Sequence, residues 1–173
     1  MKAAAETLVL FGATGDLAQR MLLPSLCALD ADGLLPDKLR IVCTARSEMN
    51  DAGFRNLARE AVEKFLPAHR RGRMADFLNR LTYQALDATT PEGYRELADS
   101  VRQGGSGDVA IFLSTAPSLF EATISGLADC GLAKDGARIG LEKPLGHDLE
   151  SSRHINDAVA AAFPEDRIFR VDH

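Results

Sequence analysis

Apolar residues in this chain gather into short runs, separated by longer stretches in which they recur every three or four positions. The short runs at 8–11, 39–44, 81–86, 109–114, 138–141 and 167–171 have the length of buried strands. The longer stretches at 17–30, 51–65, 91–103, 119–130 and 149–162 are spaced as amphipathic helices. In the last of them Leu149, Ile155, Val159 and Phe163 form an apolar face, with Asp148 placed as N-cap and Pro164 as the stop. Gly104-Gly105-Ser106-Gly107 reads as a turn into the fourth strand rather than a linker between domains. Strands alternating with helices predict an α/β domain built on a doubly wound, mostly parallel sheet.

Composition narrows the setting. A chain of 173 residues suits one domain with a real core, at 46% hydrophobic and 26% charged residues. No apolar run approaches the ~18 residues that a membrane span needs. Lys2 is followed by Ala-Ala-Ala-Glu and not by the apolar segment of a secretion signal, so a cytoplasmic protein is expected. A net charge of −5 argues against general nucleic-acid binding and leaves room for local Arg and Lys to hold phosphates. The three cysteines, Cys27, Cys43 and Cys130, have no metal-ligand spacing and sit in apolar surroundings. Buried reduced thiols are expected there, with no metal site.

Three segments carry chemistry. The first run leads into Gly12-Ala13-Thr14-Gly15-Asp16-Leu17-Ala18, a strand, a glycine turn and a helix start. Glycines let the backbone approach a pyrophosphate closely, and the following helix aims its free N–H groups at it. Ala18 takes the place of a third small residue, where helix and strand pack closely. The second strand ends in Cys43-Thr44-Ala45-Arg46-Ser47, where an NAD site usually presents a carboxylate to the ribose hydroxyls. A guanidinium at that edge suits a 2′-phosphate, with Thr14 as a second donor, so NADP is favoured over NAD; the plainer alternative is a solvated loop charge. In the third segment, Ile139-Gly140-Leu141-Glu142-Lys143-Pro144, a strand delivers Lys143 to the ligand-binding edge, and Pro144 fixes the turn, with a cis bond as one option. Lys143 can meet a phosphate or a sugar hydroxyl, or simply pair with Glu142.

The final residues, Arg170-Val171-Asp172-His173, place two polar side chains at a strand end. Adjacent strand residues point to opposite faces, so each looks for a different partner, and the ending reads as a break at the rim of a site. The run His69-Arg70-Arg71-Gly72-Arg73 is expected to be a solvated face, and His147 and His154 ordinary surface residues.

Taken together, the glycine turn, the Ala45-Arg46-Ser47 edge, Glu142-Lys143-Pro144-Leu145-Gly146 with Asp148-Leu149 and Ser151-Ser152, and the closing Arg170-Val171-Asp172-His173 resemble the glucose-6-phosphate dehydrogenase family in order and spacing. The resemblance implies a Rossmann-like coenzyme domain over residues 1–173, without the family's C-terminal substrate and dimerisation domain. It implies oxidation of β-D-glucose 6-phosphate to 6-phosphogluconolactone with hydride passing to NADP+, in the pentose phosphate pathway, by proteins that form homo-oligomers. Under it Gly12, Ala13, Thr14, Gly15, Asp16 and Leu17 hold the pyrophosphate, and Arg46 with Thr14 holds the 2′-phosphate. Leu86 and Asp87 lie near the coenzyme, and Lys143 touches both sugar and nicotinamide side. Asp172 orients a catalytic base, and His173 binds the substrate phosphate. The base itself belongs to a part not present, so the 173 residues alone are expected not to turn over substrate. One departure is Ala116 in Ser114-Thr115-Ala116-Pro117-Ser118, where the family has a first proline. Two alternatives remain: a Glu-Lys-Pro dehydrogenase of free sugars or polyols, and a non-catalytic NADP(H)-binding module.

Overall fold

The apolar runs pair side by side because each is followed by a helix long enough to return the chain to the same end of the sheet. A computed structural model describes residues 4–105, 107–134 and 136–172. Its strands are β1 (Thr7–Phe11), β2 (Arg40–Ala45), β3 (Leu81–Ala85), β4 (Val109–Leu113), β5 (Arg138–Glu142) and β6 (Ile168–Val171). They stand in the order β3-β2-β1-β4-β5-β6, and every neighbouring pair is parallel. That order reverses direction between β1 and β4, which opens a crevice outside their carboxyl ends.

The helices are α1 (Leu23–Ala31), α2 (Asp51–Phe65), α3 (Met74–Asn79), α4 (Glu92–Gln103), α5 (Phe120–Asp129) and α6 (Leu149–Ala162). They divide between the two faces according to the alternation of side chains along each strand. Val9, Phe11, Val42, Ile111, Leu113, Ile139 and Leu141 pack against Leu97, Ile124 and Val159 of α4, α5 and α6. Leu10, Ile41, Cys43, Leu81 and Tyr83 pack against Cys27, Phe54 and Phe77 of α1, α2 and α3. Strands buried on both faces explain why the runs read as continuous apolar segments.

Helix ends follow the signals in the sequence. Asn50 caps α2 by accepting from the N–H of Gly53 at 2.8 Å. Asp148 caps α6: its carboxylate accepts from Ser151 N–H at 2.8 Å, and its own N–H donates to Ser151 Oγ at 3.1 Å. The Ser151 N–H and, at 2.8 Å, the Ser151 hydroxyl, both donating to the carboxylate, hold the Asp148 carboxyl below the ordinary aspartate value. Pro164 follows the last residue of the helix cap, as the pattern predicts.

One expectation holds and one needs correction. The charge run at 69–73 is a solvated face, exposed apart from the half-buried Arg71. Arg70 pairs with Asp32 at 2.6 Å, and Arg71 donates to the carbonyls of Leu66 and Glu63, closing the C-terminal end of α2. The run also precedes α3, which has only six residues and buries the adjacent pair Phe77 and Leu78, too short to show a helical period. Of the cysteines, Cys27 and Cys43 are buried and Cys130 is half-buried; burial pushes all three thiols up. The turn residue Ser106 lies outside the described residues.

The connection from α1 to β2 is anchored by one buried ion pair. Arg80, between α3 and β3, meets the fully buried Asp30 at 3.0 Å and also donates to the carbonyls of Pro36 and Leu39. Removing one member leaves a buried charge without its partner. Arg80→Met is therefore expected to lower the unfolding free energy by about 3 kcal/mol, read from the midpoint of a urea transition. An unchanged midpoint would show that Asp30 is not held by this pair.

Candidate coenzyme site

Because all strands are parallel, their carboxyl ends share one edge, and every segment singled out by its chemistry arrives there. From β3 to β6 that edge carries Leu86 and Asp87, then Arg46, the glycine turn, Ser114 to Pro117, Lys143, and Asp172. β2 and β5 are separated by β1 and β4, about 14 Å at the usual strand spacing.

The glycine turn is fixed from both sides. Toward β2, the N–H groups of Gly12 and Ala13 both donate to the carbonyl of Thr44, at 2.9 and 3.1 Å. Toward β4, Ser114 donates to the carbonyl of Phe11 through its N–H at 3.1 Å and its hydroxyl at 2.6 Å. Gly12 has φ of +75°, and a Cβ there would stand 2.9 Å from the Ser114 carbonyl oxygen. Only glycine satisfies both the dihedral and the contact. Gly15 then closes the turn, its N–H donating to the carbonyl of Gly12 at 3.0 Å.

What the turn leaves open is as informative. Among the described residues, the N–H groups of Thr14, Asp16, Leu17 and Ala18 donate to no acceptor, and no side chain caps the helix start. The helix runs without a break from residue 16 to 31, with a π-helical widening at Ala18–Leu22. Free N–H groups at a helix start, next to a glycine turn, form an anion cradle. The Asp16 carboxylate pairs with Arg20 at 2.9 Å and stays exposed. Ala13 is fully buried and its N–H is committed to Thr44.

A cleft of about 340 Å³ lies beside this cradle, lined among others by Gly12, Thr44, Arg46, Leu86, Asp87 and Thr115. Arg46 is exposed and makes no hydrogen bond or ion pair among the described residues. The Asp87 carboxyl is held below the ordinary aspartate value, first by the Thr89 hydroxyl at 2.6 Å and Thr89 N–H at 2.9 Å, with Arg46 adding to it. Leu86 is buried, its N–H bonded to the carbonyl of Ala45 at 2.9 Å. Thr14 and Leu17 do not line this cleft.

At the other end of the edge, the Lys143 ammonium pairs with Asp172 at 3.4 Å, both exposed, rather than with Glu142 next to it in sequence. Glu142 is buried in the sheet. The Lys143–Pro144 peptide is cis, and Lys143 N–H donates to the carbonyl of Val171 at 3.1 Å. His173 lies outside the described residues. Ala116 holds φ of −59° and ψ of 142°, angles a proline would also adopt, so the turn after β4 follows a proline-compatible path without one. His154 pairs with Glu121 at 3.0 Å between α6 and α5, both exposed. No group of metal-ligating side chains forms among the described residues, and no helix among them is long and apolar enough to cross a membrane.

Two participants had no signal in the sequence. Ser114 and Gln19 act through the backbone of the glycine turn, and neither residue type marks such a role by itself. Gln19 donates from its side chain to the carbonyl of Thr14 at 2.7 Å.

A doubly wound parallel sheet with an anion cradle at its switch point has the architecture of a dinucleotide-binding domain. Residues 9–173 match the family described as glucose-6-phosphate dehydrogenase, NAD binding domain, and the chain belongs to that family of oxidoreductases. It is 54% identical over 170 residues to glucose-6-phosphate 1-dehydrogenase of Zymomonas mobilis, covering 97% of this chain and 35% of that one. The crystal structure of glucose-6-phosphate 1-dehydrogenase from Mycobacterium avium superposes with a TM-score of 0.89 at 34% identity, covering 98% of this chain and 36% of that one. A glucose-6-phosphate dehydrogenase in complex with its substrate glucose-6-phosphate gives a TM-score of 0.87 at 30% identity, covering 100% of this chain and 37% of that one. The chain thus spans about a third of the length of these relatives. Its cofactor class is a nicotinamide dinucleotide.

Gly12→Ala places a side chain in a left-handed backbone and against the Ser114 carbonyl. It is expected to cost about 2 kcal/mol of folding free energy, measured by urea denaturation, and to weaken dinucleotide binding with it. Wild-type stability in this variant would mean that the turn relaxes freely.

Proposed function

We propose that these residues form the NADP-binding unit of a glucose-6-phosphate 1-dehydrogenase, a cytoplasmic enzyme that oxidises β-D-glucose 6-phosphate to 6-phosphogluconolactone. The observation that carries the reading is the row of unsatisfied N–H groups on Thr14, Asp16, Leu17 and Ala18, beside an arginine that no neighbour neutralises by direct pairing. A pyrophosphate supplies the acceptors for those N–H groups, and the helix start favours its charge. Arg46, at the end of β2, suits the 2′-phosphate through charge-assisted and bidentate hydrogen bonds. The ionised Asp87 across the cleft accepts hydrogen bonds and does not attract phosphate, which leaves Arg46 as the group that favours NADP.

When bound, the coenzyme supplies the nicotinamide ring that accepts the hydride. The side chains of this chain would hold the reactants: the Lys143 ammonium donates to sugar hydroxyls, and the Asp172 carboxylate, 3.4 Å from it, orients that ammonium. Asp172 in turn orients the base that takes the C1 hydroxyl proton as hydride leaves, which avoids a charged intermediate. His173 is assigned to the substrate phosphate on the same reading. The relatives carry about twice as much further chain, and this reading assigns the base and the rest of the substrate site to such a part.

The test is calorimetric titration of the chain with NADP+ and NAD+ at one salt concentration. Tighter binding of NADP+ is expected, weakened roughly 10- to 100-fold in Arg46→Ala with NAD+ little changed. The 173 residues alone are expected to give no turnover of glucose 6-phosphate. Equal binding of both coenzymes would remove the 2′-phosphate role from Arg46, and NADP+-dependent oxidation by the chain itself would place the whole catalytic machinery within it.

A further inference from the structure

In an ordinary first helical turn the carbonyl of Thr14 would accept from the N–H of Ala18, four residues on. Here a side chain takes that carbonyl: Gln19 Nε2 donates to it at 2.7 Å. Gln19 is itself held to the turn, since its backbone N–H donates to the carbonyl of Gly15 at 3.1 Å. One residue therefore grips two successive carbonyls. The peptide between Thr14 and Gly15 is a rigid plane. Its N–H end is already bonded to the carbonyl of Gly12 at 3.0 Å. With Gln19 on the carbonyl end, that plane is pinned at both sides.

The π-helical widening at Ala18–Leu22 accompanies this grip, with Leu23 N–H reaching back five residues to the carbonyl of Ala18. Single π turns in longer helices are frequent at functional sites. The charged neighbours do not take over the role of Gln19. The Asp16 carboxylate is paired with the Arg20 guanidinium at 2.9 Å. Both are exposed.

We propose that Gln19 is a positioning residue for the coenzyme pyrophosphate: by occupying the Thr14 carbonyl, it keeps the Ala18 N–H from closing onto it and leaves that N–H for phosphate. The proposal rests on the coenzyme reading given above. It makes Gln19 act on the part common to NAD+ and NADP+, whereas Arg46 acts on the part that differs.

The experiment titrates wild type, Gln19→Met and Gln19→Glu with NADP+, NAD+ and adenosine 2′-monophosphate, the last lacking a pyrophosphate. Gln19→Met keeps the length of the side chain and removes the donor. It is expected to weaken both dinucleotides by the same factor, about tenfold, and to leave the monophosphate unchanged. Gln19→Glu carries a carboxylate that cannot donate at neutral pH, so its dinucleotide affinity falls below wild type. It is expected to recover, relative to wild type at each pH, as the pH drops toward the ordinary Glu value of about 4.3 and the protonated carboxyl donates again. Dinucleotide binding by Gln19→Met within twofold of wild type overturns the proposal, as does an equal loss of the monophosphate. Should Gln19→Met lose its cooperative melting transition, the Glu variant decides, and a pH-independent ratio to wild type overturns the proposal. A wild type that binds neither dinucleotide overturns the coenzyme reading first and this assignment with it.

Discussion

The crossing of the chain at the end of β1 is the constraint on which the rest of this edge depends. Two N–H groups, of Gly12 and Ala13, converge on the Thr44 carbonyl, and Ser114 reaches the Phe11 carbonyl from the other side. The turn is thereby tied to β2 and β4 at once, at the point where the strand order reverses. A tie of this kind forces the backbone of residue 12 into the left-handed region and against Ser114. It also aims the start of the following helix across the crevice. Had either neighbour been absent, the free N–H groups would have no fixed direction.

Parallel pairing extends the effect of this one crossing. Since each strand ends on the same side, residues far apart in the chain share a rim without needing long loops. Arg46 stands at one part of it and Lys143 at another, separated by β1 and β4. This spacing assigns opposite duties to the two ends of the edge, phosphate selection at β2 and contact with the reacting sugar at β5 under the proposed function. The ionic state of the rim is set locally. The Asp87 carboxyl is held below the ordinary aspartate value by Thr89, two residues on, and the Lys143 ammonium is paired with Asp172 at the end of the neighbouring strand.

The second half of the sheet shows how packing tolerates substitution where the backbone is already satisfied. Ala116 stands at the turn after β4 with dihedrals a proline would take. The path is enforced by Ser114 behind it and by the following 3₁₀ turn at Pro117–Leu119, so the missing ring does not redirect the chain. At the α1–β2 connection the opposite holds. There Arg80 and Asp30 carry a charge pair into the interior, and the geometry has no apolar substitute in place.

Much of this protein is written in local pattern. The six apolar runs became the six strands to within a residue or two, because segments buried on both faces need no alternation to identify them. The caps at Asp148 and Asn50 lie within a few residues of the groups they bind, so their chemistry is readable from neighbours alone. The placement of the glycine turn, Arg46 and Lys143 at one edge of the sheet was legible for a similar reason: each sits directly after a strand, and the strands are parallel. The tertiary structure decided what depends on residues meeting across the fold. On the solvated face, Arg70 and Arg71 meet a carboxylate and two carbonyls that no charge pattern points to. Lys143 chose Asp172, brought to it by β5–β6 pairing, over its neighbour Glu142, which is buried. Ser114 and Gln19 act on backbone carbonyls whose free valences exist only once the turn has formed. A sequence names the groups that can donate; only the folded backbone determines which acceptors remain for them.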